Sequence, residues 1–316
     1  MSCYAIVRCA FAITALQFVN AETVYETNKE ILSKIAAENI NRFGSVSSIE
    51  YSGLQTTTFT SPIPFGSGVF KEQTNSVAFS YSRGNFSFVQ KTESTPEGPS
   101  SHFKVCFDQD LWQYFDYVSQ RLIVSKAVQQ IGVARGSNLL FLPFTNFIFP
   151  NAGNSQLSLL DILSDYGSLG LWQAALSNIV KVQQGSVTLP GDSVEVTSVF
   201  ASPIAGDPPG TLVTTFSVAD DMFPIKWTLS FGKTIAEYSV SQLHELAVSG
   251  SPLKLRIPKQ AKIRNYENGV ESQHTLIEIT EVKINQAVSD ENFTIDPSQA
   301  TDINDLDEDI VIPVPK

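Results

Sequence analysis

The stretch "FDQDLWQYFDYVSQRLIVSK", residues 107–126, decides how this chain is interpreted. An acidic turn at Asp108 to Asp110 is followed by large aromatic residues and then by the strand-like run "RLIVSK". Because successive side chains of a strand point to opposite faces, Trp112 and Tyr114 are expected on one face. Both ring types bury a large area while keeping a polar group for a partner. The stretch therefore predicts a strand, turn, strand unit that packs against apolar material instead of supplying a nucleophile.

Strand alternation extends from this unit in both directions. One strand face is predicted upstream, with Ile49, Tyr51, Gly53, Gln55, Thr57 and Phe59. It is followed by "GSGVFKE", "VAFSYS", "FSFVQK" and "FKVCFD". After residue 187 strands return in "SVEVTSVF", "TLVTTFSV", "IKWTLSFG" and "TIAEYSV", and a last hairpin turns at Asn268-Gly269. Consecutive strands with short turns form an antiparallel meander, and one this long must curl or split into layers.

Two segments predict helices. A capping box at Thr27 to Glu30 precedes apolar residues at near-helical spacing, with Gly44 placed to end the helix. From Ser125 to Val182 the period becomes helical or the sequence simply apolar. The order of elements predicts an α+β fold. Its core is a strongly curved antiparallel sheet, an unclosed half-barrel, with an N-terminal helix and a helical insertion that covers the concave face.

The first 21 residues predict a cleaved signal peptide. Arg8 precedes an apolar run that is too short to span a bilayer. The run ends in Val19-Asn20-Ala21, with small residues at the two positions that a signal peptidase reads, so cleavage is predicted after Ala21. A buried N-terminal helix is the alternative. Cys9 lies ahead of the apolar run, so lipidation is not expected. The predicted protein is periplasmic or secreted, with one domain over residues 22–300 and an acidic, Pro-containing tail over residues 301–316.

Composition excludes several classes of protein. The 316 residues carry a formal net charge of −11 without a basic stripe, which disfavours nucleic acid as a partner. After the predicted leader only Cys106 remains, so neither an internal disulfide nor a structural zinc site is expected. No cofactor motif is present: the sequence has no P-loop and no G-x-G-x-x-G that follows a strand.

Catalytic motifs are equally weak. The three histidines, His102, His244 and His274, are isolated from one another, and there is no G-x-S-x-G elbow. Asp220 and Asp221 form a carboxylate pair, but they lie between two predicted strands, where a hairpin turn explains them. The sequence therefore predicts a protein that is not an enzyme, with a hydrolase as the alternative.

The acidic end resembles a calcium loop only in part. Asp305, Asp307 and Asp309 alternate as such a loop begins, but Ile310 stands where the loop needs glycine, and the twelfth position lacks Glu. A solvated acidic end is favoured, and loose calcium binding stays open.

Phenylalanine is abundant, with 21 residues in the chain, and many of them fall in strands and in the predicted insertion. A curved sheet lined by these rings has a concave face that is either a dry core or a pocket for an apolar ligand.

The opening stretch resembles the "DG-x-x-LW-x-Y" signature of the LolA-like superfamily, which includes periplasmic lipoprotein carriers and the related LppX and RseB proteins. Asp108, Leu111, Trp112 and Tyr114 match the signature as scaffold residues, whereas Gln109 replaces its glycine. The export leader, "IEYSG", "GVFKE" and "TLIEITEVKIN" running into "NFTIDP" agree with the resemblance. Gln73 stands near the place of an arginine linked to lipid release in the classical carrier, which makes a direct lipoprotein carrier a less suitable assignment than a general lipid-binding relative.

The resemblance implies an unclosed barrel with an apolar cavity for acyl chains. The predicted function is binding of a lipid, an acyl chain or the acyl group of a lipoprotein, with an envelope or membrane-bound protein as a second partner class. The predicted pocket residues are Phe70, Phe79, Phe86, Phe88, Trp112, Tyr114, Phe141, Phe144 and Trp227. The alternatives are a regulatory or sensor module like RseB and a structural envelope protein without a ligand.

Overall fold

The fold was analysed in a computed structural model of the chain. It describes residues 30–31, 34–35, 38, 46–65, 68–82, 85–94, 100–108, 111–126, 179–184, 193–200, 208–248 and 254–315. The predicted leader and most of the predicted insertion lie outside the described residues, as do Phe141 and Phe144.

The described residues form one sheet of fifteen strands. They are β1 Ser48–Phe65, β2 Gly68–Ser82, β3 Asn85–Ser94, β4 His102–Asp108, β5 Leu111–Asp116, β6 Arg121–Ser125, β7 Ile179–Gln184, β8 Ser193–Phe200, β9 Gly210–Ser217, β10 Phe223–Phe231, β11 Thr234–Ala247, β12 Lys254–Glu267, β13 Val270–Ile284, β14 Asp302–Asp305 and β15 Ile310–Pro313. Two short 3-10 helices, Asp290–Phe293 and Pro297–Gln299, lie between β13 and β14.

The sheet consists of two meanders joined by one central pairing. Strands β1 to β6 form the first meander, strands β7 to β13 form the second, and β13 pairs with β1. Among the described strands, only the pairing of β14 with β6 is parallel, and the other pairings are antiparallel. The strand order begins at β15 and ends at β7, and these two edges do not pair with each other among the described residues, so the sheet is unclosed.

The predicted α+β fold class was wrong. Among the described residues, α-helical backbone is found only at Glu30, Ile31, Lys34, Ile35 and Glu38, and no helix there has seven or more residues. The far end of the predicted insertion is also extended, because Ile179–Gln184 forms β7. Its β-branched residues favour a pleated strand, and the apolar character of this segment had suggested a helix. The described part of the chain is nearly all β.

Strand β1 alternates as its sequence predicts, and its pairing with β13 contains one irregularity. Ile49, Tyr51, Gly53 and Gln55 are buried, while the alternate residues Glu50, Ser52 and Leu54 are more exposed. Ser52 pairs with Glu281 but Gly53 pairs with Ile279, so β13 has one extra residue at this point. A Cβ on Gly53 would collide with the backbone carbonyl oxygen of Glu278 and lie 3.0 Å from its carbonyl carbon. Glycine is therefore needed for the two backbones to approach this closely.

We expect Gly53→Ala to lower the free energy of unfolding by about 2 kcal/mol or more, because backbone atoms cannot move aside as a flexible side chain can. Urea unfolding followed by circular dichroism measures this change. Leu54→Ala is the matched control, since Leu54 is an exposed neighbour and its truncation should cost at most about 0.5 kcal/mol. Equal effects of the two substitutions would contradict the assignment.

The sheet bends strongly, as two tyrosines on distant strands show. Tyr51 lies on β1 and Tyr238 on β11, three strands away, and Tyr238 is aligned in register with Thr57. In a flat sheet the two tyrosines would be about 14 Å apart across the strands and about 20 Å apart along them. Burial raises the pKa of Tyr51 well above its ordinary value, and the nearby phenol of Tyr238 raises it further. Both rings also belong to one hydrophobic cluster, as expected where the sheet curves towards the face that carries them.

The chain between β13 and β14, residues 285–301, crosses the convex face of the first meander; it is called the C-terminal crossover below. Lys104 Nζ on β4 donates to the carbonyl oxygen of Thr294 at 2.8 Å and to that of Glu291 at 3.3 Å. The backbone N–H of Ile295 donates to Gln113 Oε1 on β5 at 3.1 Å. Strand β14 then pairs with β6, so the acidic end of the chain extends the sheet.

Small side chains on the convex face let this crossover lie close to the sheet. Ser80, Ser87 and Cys106 are neighbours in register on β2, β3 and β4. Cys106 is fully buried, and its Sγ donates to the carbonyl oxygen of Asn292 at 3.7 Å. A second hydrophobic cluster forms here, with Cys106, Phe115, Leu122, Ile295 and Ala300. Burial raises the pKa of the Cys106 thiol to about 12.

We expect the Cys106 thiol of the folded protein to resist alkylation at pH 8. With a pKa of about 12, roughly one thiol in ten thousand is ionised at that pH, and the thiolate is the reactive form. Iodoacetamide labelling followed by intact mass measures the reaction, with the protein in urea as the control that should label fully. The raised pKa also favours the folded state below about pH 9, and this contribution is lost as the pH rises towards 12. Rapid labelling of the folded protein would contradict the burial of Cys106.

An arginine fixes the β9–β10 turn to strands β11 and β12. Arg256 on β12 is buried, and its guanidinium lies 3.3 Å from Glu245 Oε1 on β11 and 3.5 Å from Asp220 Oδ1 in the turn. It also donates to Asp221 Oδ2. Asp220 and Asp221 thus lie in a turn, where the sequence placed them, and both face a cation. Lys254 pairs with the other oxygen of Glu245 at 2.8 Å, but on the solvent-exposed side.

We expect Arg256→Ala to lower the free energy of unfolding by about 1–3 kcal/mol, because several charge-assisted hydrogen bonds are lost together. Lys254→Ala removes an exposed partner of the same Glu245 and should cost at most about 1 kcal/mol. Urea unfolding compares the two. A smaller effect for Arg256 than for Lys254 would show that the guanidinium does not fix the turn.

Candidate ligand-binding face

The concave face of the first meander carries aromatic and aliphatic side chains aligned in rows. One row runs across six strands through pairs in register: Tyr51, Phe79, Phe88, Val105, Tyr114 and Ile123. All six are buried and belong to one hydrophobic cluster. Because side chains two residues apart share a face, this row and its neighbours form one continuous surface, called the inner face below.

The rings of the inner face contact one another closely. Tyr51 stacks on Phe79 with ring centroids 4.9 Å apart, and Phe103 stacks on Tyr114 at 5.5 Å. Phe107 and Trp112 meet at 4.7 Å. These offset contacts between rings add stability beyond the area that they bury.

The opening stretch of the sequence divides its rings between the two faces. Trp112 and Tyr114 on β5 lie on the inner face, as their spacing predicts. Phe115 points the other way and packs in the cluster beneath the C-terminal crossover. The β4–β5 hairpin, closed by the pair Asp108 and Leu111, therefore supplies apolar residues to both sides of the sheet.

The structure brings five of the predicted pocket residues into one cluster: Phe79, Phe88, Trp112, Tyr114 and Trp227. Trp227 belongs to the second meander, where it stacks on Tyr238 with centroids 5.7 Å apart. Phe70 is buried elsewhere, in edge contact with Phe59 at 5.5 Å. For Phe86 only the backbone is described, paired with Phe107, and Phe141 and Phe144 lie outside the described residues.

A set of uncharged polar residues on the inner face was missed by the sequence interpretation. This polar band consists of Gln55, Gln73, Asn75, Gln90, Thr92 and Ser101. Gln55 pairs in register with Asn75, and Asn75 with Thr92. The exposed fractions of Gln55, Asn75 and Gln90 are 5%, 4% and 3%. The sequence carried a signal for five of them: Gln55, Gln73, Asn75, Gln90 and Thr92 occupy strand positions where alternation predicts a side chain on the buried face.

Hydrogen bonds connect the polar band. Thr92 Oγ1 donates to Asn75 Oδ1 at 3.0 Å and lies 3.1 Å from Ser101 Oγ. Gln90 Nε2 donates to Ser101 Oγ at 3.3 Å, and Gln73 Nε2 donates to Thr92 Oγ1 at the same distance. Gln90 Oε1 is buried without a hydrogen-bond partner among the described residues.

The three histidines considered as catalytic candidates each have a structural partner. His244 Nε2 lies 2.9 Å from the carbonyl oxygen of Ile279 and therefore donates to it. His274 Nδ1 contacts Glu271 Oε1 at 2.8 Å. His102 stacks on Tyr117, and burial lowers the pKa of His102. No group of three or more His, Cys, Asp or Glu side chains among the described residues could hold a metal ion.

The acidic end has a structural use as well. Asp305 Oδ1 accepts hydrogen bonds from the backbone N–H groups of Asp307 and Glu308, at 3.0 Å and 3.3 Å. Asp307 accepts from Ser125 Oγ at 3.0 Å and from the N–H of Lys126 at 2.6 Å. These carboxylates fix the β14–β15 turn and join it to the end of β6. Helices long and apolar enough to cross a membrane are absent from the part of the chain that the structure describes.

Comparison with known proteins adds little. No family model and no curated protein matches the chain. Among solved structures, an uncharacterized conserved protein from Thermus thermophilus is similar at 8% identity, with a TM-score of 0.33 over 85% of this chain and 98% of that one. LprF from Mycobacterium bovis is similar at 10% identity, with a TM-score of 0.27 over 83% and 95% of the respective chains. At these TM-scores neither likeness supports a further conclusion, and the resemblance to the LolA-like superfamily remains a prediction from sequence.

Proposed function

We propose that this chain is an exported binding protein that holds a lipid, or the acyl group of a larger molecule, against the inner face of its unclosed sheet. The observation that carries the proposal is the register of the inner face, which places rings from β1, β2, β3 and β5 in one continuous surface. Each methylene that such a surface removes from water contributes about 0.8 kcal/mol, so one long chain supports micromolar binding after the cost of association.

The residues on both faces are buried, so the composition of the inner face, and not its exposure, supports it as the binding side. The convex face of the first meander is covered by the C-terminal crossover, whose residues bond to β1, β4 and β5. The inner face carries the larger set of rings, and it continues into the second meander through Tyr238 and Trp227. Export is proposed from the leader-like first 21 residues.

Native mass spectrometry of the purified protein, followed by organic extraction, tests this proposal. We expect an acyl species to copurify and a fluorescent fatty acid to bind. Phe79→Leu on the inner face should weaken fatty-acid binding by about fivefold, because several apolar contacts with the chain are lost.

Phe115→Leu is the matched control, since Phe115 is equally buried but lies on the convex face. It should destabilise the fold to a similar degree and leave binding unchanged. Recovery of no acyl species, together with no binding of the fluorescent fatty acid, would contradict the proposal. If both variants weaken fatty-acid binding equally, the inner face is not the binding site.

A further inference from the structure

The inner face is not uniformly apolar along its strands. On β1 the buried Ile49 and Tyr51 give way to Gln55, and on β2 Phe79 and Val77 give way to Asn75. The change occurs on neighbouring strands at paired positions, since Gln55 lies opposite Asn75. The rows of Tyr51 and Gln55 are four residues apart, or about 13 Å along a strand. An elongated ligand that lies along the strands would therefore meet rings at one end and the polar band at the other.

We propose that the polar band binds the uncharged, hydroxyl-bearing headgroup of an acyl ligand, an inference that rests on the function proposed above. Gln90 is the residue that carries it. Its side chain is 3% exposed, and Oε1 has no hydrogen-bond partner among the described residues. A buried polar atom without a partner destabilises a protein, and such atoms are uncommon unless a bound group satisfies them.

The chemistry of the missing partner follows from the amide group. Gln90 is held through Ser101 Oγ, which can donate or accept a hydrogen bond. Either orientation of the amide satisfies Ser101, and either leaves one amide atom unsatisfied, an acceptor in one case and a donor in the other. A hydroxyl group can serve both, because it donates and accepts.

The charge of the headgroup follows from the composition of the band. Its six side chains are amides and hydroxyls, with no lysine, arginine or histidine among them. Transfer of an unpaired carboxylate or phosphate into such surroundings carries a large desolvation cost. The band therefore favours a glycerol or sugar headgroup over an anionic one.

The band is also ordered in advance. Thr92 joins Asn75, Gln73 and Ser101, and Ser101 holds Gln90. A hydroxyl that reaches Gln90 therefore meets an amide whose position is already fixed, which reduces the entropy lost on binding.

Three ligands with the same acyl chain test this inference: 1-monooleoylglycerol, methyl oleate and oleate. Equimolar mixtures are added to the full mature protein, and the occupancy of each ligand is read by native mass spectrometry. We expect monooleoylglycerol to be preferred over methyl oleate by about tenfold, the effect of one or two buried hydrogen bonds. Oleate should be the weakest of the three.

Gln90→Leu should reduce the preference for monooleoylglycerol to within about twofold while methyl oleate still binds. Gln113→Leu is the matched control, because the same substitution on the convex face removes only a contact with Ile295. Thr92→Val, which breaks the network that holds Ser101, is a second variant with the same expected loss. The occupancy ratio of monooleoylglycerol to methyl oleate is also measured on the unmodified protein, so the test does not depend on the folding of any variant.

The outcomes separate this inference from the function on which it rests. Equal occupancy by the three ligands, a preference for oleate, or an unchanged preference in Gln90→Leu would overturn the headgroup assignment and leave acyl binding intact. Failure of all three ligands to bind would overturn both.

Discussion

The pairing of β13 with β1 is the constraint on which the rest of the structure depends. It joins two meanders that would otherwise be separate sheets, and it brings residues more than 210 positions apart into register. The extra residue in β13 opposite Ser52 and Gly53 lies in the middle of this pairing, where a bulge increases the local twist and bend. Because the inner face is continuous across β1 and β13, rings from both halves of the chain belong to one hydrophobic cluster. A slip of one residue in this register would turn every side chain of one meander to the wrong side.

Much of the first meander could be predicted from the sequence, because strand alternation is a local property. The burial of Ile49 and Tyr51 and the shared face of Trp112 and Tyr114 follow from a period of two. The α+β class could not be corrected in the same way. An apolar segment rich in leucine and phenylalanine has no clear period, so its helical interpretation rested on hydrophobicity alone, and the end of that segment forms β7.

The C-terminal crossover that covers the convex face could not be predicted from local sequence patterns. The strand pattern around Cys106 does not indicate that the chain returns at residue 292 to contact its thiol. The partners of Lys104 and Gln113 are backbone groups more than 180 residues away. Every residue has such groups, so the sequence does not indicate which of them a side chain contacts.

The polar band was missed for a different reason. Its positions were visible in the alternation of the strands, but polar residues at core positions are easily taken as breaks in a pattern instead of as parts of a site.

The C-terminal crossover has a consequence for how the protein folds during synthesis. Strand β6 acquires its parallel neighbour, and Cys106 its cover, from residues that lie more than 180 positions later in the chain. The first meander cannot be completed until these later residues have been synthesised, since β1 also pairs with β13. Until then its open strand edge is a template for intermolecular pairing. A truncated chain that lacks β13 would keep this unpaired edge. Proteases and chaperones act on exposed, incompletely folded segments, so they would bind such a product.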